Sequence, residues 1–190
     1  MNKREEQKEK RREAILWASL DLFVRRGYAA TKISDIAEAC HMSAGLFFHY
    51  FESKEAVYRE LLTLGRDGPQ TMMTMDQSEP LEFFRTVAEL TLDTLKLQPF
   101  IAKMFVLMSD AQRSEATPPE MREIAMQVQN IPQSIEIIEE GQRQGVIRQG
   151  DPCALSLTFW SAIQGVAEEI AFFPDMPCPE AEWLVDILKP

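Results

Sequence analysis

The sequence predicts an all-α protein, and three observations support this prediction. Apolar residues recur at helical spacing along most of the chain, as at Ile15, Ala18 and Leu22. Residues that favour the first and last positions of helices flank these stretches. No stretch shows the strict apolar–polar alternation or the Asn-Gly turns that are typical of β-hairpins. We expect about nine helices, a small N-terminal group followed by a larger one.

The first four expected helices each carry a boundary signal. The first is expected over residues 8–26, because Gly27 stands where a left-handed cap would end it. Thr31 is expected to cap the second helix, Ser43 the third and Ser53 the fourth, because a side-chain oxygen at these positions can accept from free backbone amides. The mixed-charge start KREEQKEKRRE, residues 3–13, predicts a solvated, partly frayed arm, with a phosphate contact as the alternative.

Five further helices are expected over residues 78–97, 100–111, 117–144, 152–173 and 180–189. Pro132 is expected to kink the long helix 117–144, because proline removes a backbone donor. Gly145 is expected to end that helix, and Asp151 to cap the next one.

Composition excludes several classes of protein. The chain has 190 residues, of which 45% are apolar and 26% charged, as in an ordinary globular protein. No run of 18 apolar residues predicts a membrane span, and the start lacks the apolar centre of a signal peptide. Three widely spaced cysteines, Cys40, Cys153 and Cys178, argue against a disulfide framework. We therefore expect a cytoplasmic protein that does not contact a membrane.

Charge is unevenly distributed along the chain. Residues 1–66 contain 12 Lys and Arg against 10 Asp and Glu, a net charge of +2. Residues 67–190 contain 8 and 20, a net charge of −12. Only the first third is therefore suited to a polyanion.

Five consecutive ring-bearing residues occupy positions 47–51. Phe47 and Phe51 are four residues apart and can share a buried helical face, which leaves Phe48, His49 and Tyr50 to point elsewhere. The layout of residues 32–51 is that of a helix-turn-helix, whose second helix presents small residues near its start. Small residues there allow close approach to the major groove of duplex DNA.

At these residues the sequence resembles the TetR family of bacterial transcriptional regulators. The resemblance rests on GYAATKISDIAEACHMSAGLFFHYFESKEAVYRELL, residues 27–62. It implies a helix-turn-helix domain over residues 1–52, a connecting helix over 53–66 and a regulatory, ligand-binding and dimerisation domain over 67–190. It also implies a homodimeric repressor that a small apolar or aromatic effector releases from a pseudo-palindromic operator.

Carried over position by position, the resemblance predicts a set of DNA-binding residues. They are Thr31, Lys32, Ser34, Ser43, Ala44, Gly45, Leu46, Phe48, His49, Tyr50 and Lys54. Lys54 is expected to bind a phosphate at the start of the fourth helix. Two positions depart from the family pattern: His41 stands at a turn position that is often glycine, and Phe48 at one that is commonly tyrosine.

Two further sets of residues are predicted in the acidic part of the chain. The ligand pocket is expected to involve Phe84, Met104, Phe105, Met108, Trp160, Gln164 and Glu168. The dimer interface is expected to involve Ser161, Ala162, Gly165, Trp183 and Ile187, because small residues four apart let a partner helix approach closely.

Other functions have less support in the sequence. Cys40, His41 and His49 do not form a metal-binding pattern, since the chain has only two histidines and no ligand-spaced cysteine pair. No nucleophile elbow or phosphate loop indicates an enzyme, and no cofactor is expected. The alternative to a regulator is a protein-interaction module that uses the acidic helical domain, with DNA binding vestigial.

Overall fold

The computed structural model describes residues 3–190, so residues 1 and 2 of the predicted 1–52 domain lie outside the described residues. The all-α prediction is confirmed: the described part of the chain contains helices and no strands. The helices are α1 (Lys3–Arg26), α2 (Ile33–Ala39), α3 (Ala44–Phe47), α4 (Lys54–Met72), α5 (Pro80–Leu97), α6 (Pro99–Arg113), α7 (Pro119–Met126), α8 (Asn130–Gln133), α9 (Ile135–Gln144), α10 (Pro152–Phe172) and α11 (Ala181–Val185). Among residues 3–190, no helix is long and apolar enough to cross a membrane.

The helices form two compact units. The first comprises Met1–Gly65 together with Val106–Met126, and the second comprises Arg66–Phe105 together with Gln127–Pro190. Residues 106–126, which the sequence analysis assigned to the regulatory domain, thus group with the predicted helix-turn-helix. The functional division into DNA-binding, connecting and regulatory segments stays a prediction.

The first unit is held together by packing around α1 and α4. Phe23 of α1 and Tyr58 of α4 are buried and meet edge to face, with ring centroids 5.2 Å apart. Arg12 adds a polar tie between these helices: its guanidinium pairs with Glu60 and lies 4.7 Å from the ring centroid of Phe51. An arginine between a carboxylate and an aromatic ring therefore fixes α1 against the segment that follows α3.

The second unit has an aromatic core between α5 and α10. Phe84 and Phe159 are fully buried, with ring centroids 4.9 Å apart, and Trp160 continues the cluster. α11 packs against α5, and the chain end is fastened by ion pairs of Glu182 with Arg85 and Lys189. α11 ends at Val185 rather than continuing to Lys189 as the sequence predicted.

The segment 117–144 is broken into α7, α8 and α9, where the sequence predicted one kinked helix. α7 ends at Met126 and α8 begins at Asn130. In a continuous helix Pro132 could not donate to the Val128 carbonyl, and its ring would collide with that carbonyl. This explains why a break replaces the kink. Gly145 ends α9 with φ of +75°, as predicted.

Helices α1 and α4 are both longer than the sequence predicted. α1 begins at Lys3, so the residues expected to be a frayed arm are helical. α4 continues beyond residue 66 through Gly68 and Pro69 to Met72. An exposed glycine costs a helix about 1 kcal/mol and an internal proline about 3 kcal/mol or more, and Pro69 stands in the last turn of α4, so little helix follows it. Neither is sufficient here to end α4.

Candidate DNA-binding site

The turn between α2 and α3 is tight and depends on a strained histidine. His41 has φ of +53°, in the left-handed region that glycine adopts more easily. The Met42 amide then donates to the Ala37 carbonyl at 2.9 Å, which closes the turn. Because Ala37 is small and buried, α3 can cross α2 closely. The helix-turn-helix layout predicted from residues 32–51 is thus present.

α3 is short and is fixed at both ends. Ser43 caps it as predicted, and its hydroxyl accepts from the Leu46 amide at 3.1 Å. Phe47 is fully buried and Phe51 nearly so, with ring centroids 6.1 Å apart. The helix itself ends at Phe47, and residues 48–50 continue as turns. The two buried rings therefore hold α3 from beneath while its other side stays open.

The outer surface of α3 carries most of the predicted DNA-binding residues. Ala44, Gly45 and His49 are exposed, and Phe48 is 54% exposed although it is a large apolar ring. Leu46 and Tyr50 are half-buried at the margins. A methyl group added at Gly45 would contact only the Ser43 hydroxyl, at 3.9 Å. The fold therefore leaves free space above Gly45.

The start of α2 agrees only in part with the prediction. Lys32 and Ser34 are exposed. Thr31 is buried, and its hydroxyl donates to the Gly27 carbonyl at 2.9 Å, so we correct its assignment as a DNA-binding residue. It is also not the helix cap, since α2 begins after Lys32, whose backbone amide donates to Asp35 at 2.8 Å.

The ammonium group of Lys54 is occupied within the protein. It donates to the carbonyl oxygens of Tyr28 at 2.7 Å and Thr31 at 2.8 Å, and it lies 4.2 Å from the Tyr28 ring centroid. Burial lowers the pKa of Lys54. The Tyr28 hydroxyl also donates to Glu55 at 2.8 Å. Burial is the main reason that the pKa of Tyr28 is raised, and the hydrogen bond to Glu55 raises it further. Lys54 and Glu55 therefore fasten the turn before α2 to the start of α4.

We expect Lys54→Ala to lower the free energy of unfolding by about 1–2 kcal/mol, because two backbone carbonyls lose a charged donor. Lys32→Ala is the matched control, since Lys32 is exposed and its loss should change stability by no more than about 0.5 kcal/mol. Chemical denaturation of both variants measures this difference. Equal stability of Lys54→Ala and the parent protein would instead favour a purely phosphate-binding role for Lys54.

The predicted ligand-pocket residues are only partly brought together. Met108 belongs to the first unit and the other six belong to the second. Within the second unit the Gln164 amide donates to Glu168 at 2.7 Å and to the Phe105 carbonyl at 3.2 Å. Trp160 instead donates to the Ser134 hydroxyl at 2.9 Å. Phe84 and Met104 are buried.

Three of the five predicted dimer residues are exposed on the surface of the second unit. Ser161 and Gly165 are exposed on α10, and Trp183 on α11 is 64% exposed. Ala162 and Ile187 are half-buried. Further large apolar side chains are exposed in the same part of the chain, namely Leu157, Phe172, Phe173 and Met176.

A basic groove beside α3 was not predicted, although a phosphate contact was one alternative for the mixed-charge start of the chain. A cavity of about 590 Å³ lies between the beginning of α1 and the residues after α3. It is lined by Arg4, Glu5, Gln7, Lys8, Arg11, His49 and Tyr50. The spacing of Arg4, Lys8 and Arg11 is helical, so this stripe was visible in the sequence once α1 is known to begin at Lys3.

Comparison with known proteins places the helix-turn-helix unit in a family. Residues 15–61 match the family of bacterial regulatory proteins called the tetR family. The HTH-type transcriptional regulator RutR of Escherichia coli O157:H7 is 26% identical over 162 residues, which cover 83% of this chain and 74% of RutR. The uncharacterized HTH-type transcriptional regulator YerO of Bacillus subtilis is 45% identical over 47 residues, 25% of this chain and 16% of YerO. The match therefore spans about a sixth of YerO's length.

A solved structure extends the similarity to the whole fold. The crystal structure of AibR in complex with isovaleryl coenzyme A and operator DNA has a TM-score of 0.66 and 21% identity, and the match covers 93% of this chain and 94% of AibR. The helix-turn-helix with its capped, ring-anchored α3 lies inside the matched residues 15–61. Residues 15–61 therefore carry the helix-turn-helix of the TetR family of bacterial regulatory proteins, and the whole chain shares the fold of such a regulator.

Proposed function

We propose that this protein is a sequence-specific DNA-binding transcriptional regulator, without enzymatic activity, that acts as a homodimer in the bacterial cytoplasm. The observation that carries the proposal is the outer surface of α3, which presents small exposed residues while Phe47 anchors the helix from beneath. Such a surface can approach base edges in a major groove closely. The family match over residues 15–61 supports the same function.

Gly45 gives the strongest local support for this proposal. Glycine in a helix costs about 1 kcal/mol relative to alanine, so a helical glycine calls for an explanation. At Gly141 the explanation is internal, since an added methyl group would lie 2.5 Å from Ile147. At Gly45 no such neighbour exists within the protein. Gly68 and Gly165 are equally open, so the location of Gly45 on the outer surface of α3 decides the matter, and we infer that DNA uses the space above it.

We expect Gly45→Leu to leave the protein folded but to weaken operator binding by about 5- to 150-fold, which corresponds to the loss of one base contact of about 1–3 kcal/mol. Gly68→Leu is the matched control, because a methyl group at Gly68 also meets no neighbour within 4 Å and Gly68 belongs to the second unit rather than to the unit that contains α3. Fluorescence anisotropy with labelled operator measures both affinities. Unchanged affinity of Gly45→Leu would contradict the placement of DNA on this surface.

We propose that two copies associate through α10 and the C-terminal segment. Ser161 and Gly165 are small and exposed, and the large apolar side chains of Leu157 and Phe172 are half exposed on the same helix. A second copy would remove this apolar surface from water. A two-fold dimer presents two recognition helices, and its operator is then a pseudo-palindrome.

We further propose that the regulator is a repressor released by a small apolar or aromatic effector. AibR, which shares the fold, was captured with isovaleryl coenzyme A and operator DNA. In this chain the Gln164–Glu168 pair beside the Phe105 carbonyl supplies polar groups next to apolar core residues of the second unit. An effector that binds there would lower operator affinity by about 5- to 150-fold, and operator would weaken effector binding by the same factor.

A further inference from the structure

We propose that the beginning of α1 is a second DNA contact, which holds one phosphodiester backbone in the basic groove beside the recognition helix. This inference rests on the proposed function, because it assigns a further part of the same DNA-binding surface. The family match begins at residue 15 and does not include these residues.

The groove has cationic side chains along one wall. Arg4, Lys8 and Arg11 are separated by four and three residues, so they follow one another along one face of α1. Across about 590 Å³ of open space lie His49 and Tyr50, which directly follow the recognition helix. A nucleic acid strand that leaves the surface of α3 would therefore meet this wall next.

Some basic residues of α1 form ion pairs within the protein, and others do not. Arg12 pairs with Glu60, and Lys10 pairs with Glu6 at 2.8 Å on another face of the helix. Within residues 3–190, Lys8 and Arg11 form no such ion pair, although four glutamates, Glu5, Glu6, Glu9 and Glu13, lie nearby in sequence. Their exposed cations on the groove wall therefore remain available to an external anion.

A phosphodiester backbone fits this groove better than a single small anion. The stripe extends over two turns of α1, about 10 Å, and a DNA strand presents successive phosphates along such a length. The wall bears three cations and only one carboxylate, that of Glu5. Gln7 and Tyr50 also line the groove, and glutamine and tyrosine side chains can donate hydrogen bonds to phosphate oxygens. The contact carries no base information, so it adds affinity without adding sequence preference.

The test compares Lys8→Ala with Lys10→Ala in the full-length protein. Both remove one positive charge from α1, but only Lys8 lines the groove. Operator affinity is measured as a function of salt concentration, with thermal unfolding as the control for folding. We expect Lys8→Ala to lower the slope of log affinity against log salt by about 0.9 for each bound chain, and the double variant Lys8→Ala/Arg11→Ala by about 1.8. Lys10→Ala should leave the slope unchanged.

Affinity for unrelated duplex DNA should fall by the same factor as affinity for operator, because phosphate contacts are independent of sequence. Equal salt slopes for Lys8→Ala, Lys10→Ala and the parent protein would overturn this inference alone, provided that the parent binds operator. Failure of the parent protein to bind any duplex selectively would overturn the proposed function as well.

Discussion

Replacing Gly165 with leucine is expected to convert the proposed dimer into a monomer and to abolish tight operator binding. The side chain would enter open space in the isolated chain, because a methyl group at Gly165 meets no neighbour within 4 Å. Leucine is also a better helix former than glycine by about 0.8 kcal/mol, so α10 itself should not be weakened. The effect of the substitution is therefore expected only at the surface where a second copy would lie.

The expected loss of affinity follows from linkage of two half-sites. A dimer binds its second half-site as an intramolecular event, which raises the affinity by about 100- to 10,000-fold over one half-site alone. A monomer loses that gain. Sedimentation velocity measures the assembly state, and anisotropy measures the affinity for operator. The control is Gly68→Leu, an equally open glycine on α4. An unchanged dimer mass for Gly165→Leu would contradict the placement of the interface on α10.

Replacing Phe47 with alanine is expected to lower the free energy of unfolding by about 3–5 kcal/mol, the usual cost of removing a fully buried aromatic ring. Phe47 is completely buried and touches the rings of Phe48 and Phe51. Because it anchors α3 from beneath, its loss should release the recognition helix, and operator binding should fall with it. Chemical denaturation gives the stability, and amide hydrogen exchange shows whether α3 loosens first.

The neighbouring Phe48 provides the matched control. Phe48→Ala makes the same chemical change one residue away, but its ring is 54% exposed. We expect a loss of stability well below that of Phe47→Ala together with weaker operator binding, since this ring lies on the proposed DNA surface. If both substitutions destabilise the protein equally, the distinction between an anchoring ring and a DNA-facing ring is wrong.

Features set by a few neighbouring residues could be predicted from the sequence. Ser43, Ser53 and Asp151 each accept from a backbone amide three residues ahead, at 2.8–3.1 Å, as their positions before a helix predict. The burial of Phe47 and Phe51 follows in the same way from helical spacing. Such interactions depend on local geometry alone, so the sequence reveals them directly.

Features set by distant contacts could not be predicted. Lys54 stands at the start of a helix, where a phosphate contact is a reasonable expectation, but its ammonium is bound by carbonyls 26 and 23 residues earlier. The pocket residues were chosen for their chemistry, and spacing along α10 does not show that Trp160 bonds to Ser134 rather than facing a cavity. These outcomes depend on how the elements pack, which periodicity does not specify.

Selection of bound sequences from a random pool of duplex DNA tests the central claim most directly. The purified full-length protein should enrich two inverted half-sites at a fixed separation, about 10 base pairs or a multiple of this between their centres, because a two-fold dimer places its recognition helices one helical turn or more apart. A protein-interaction module with vestigial DNA binding would enrich no sequence. Recovery of the random starting pool after repeated rounds would contradict the account.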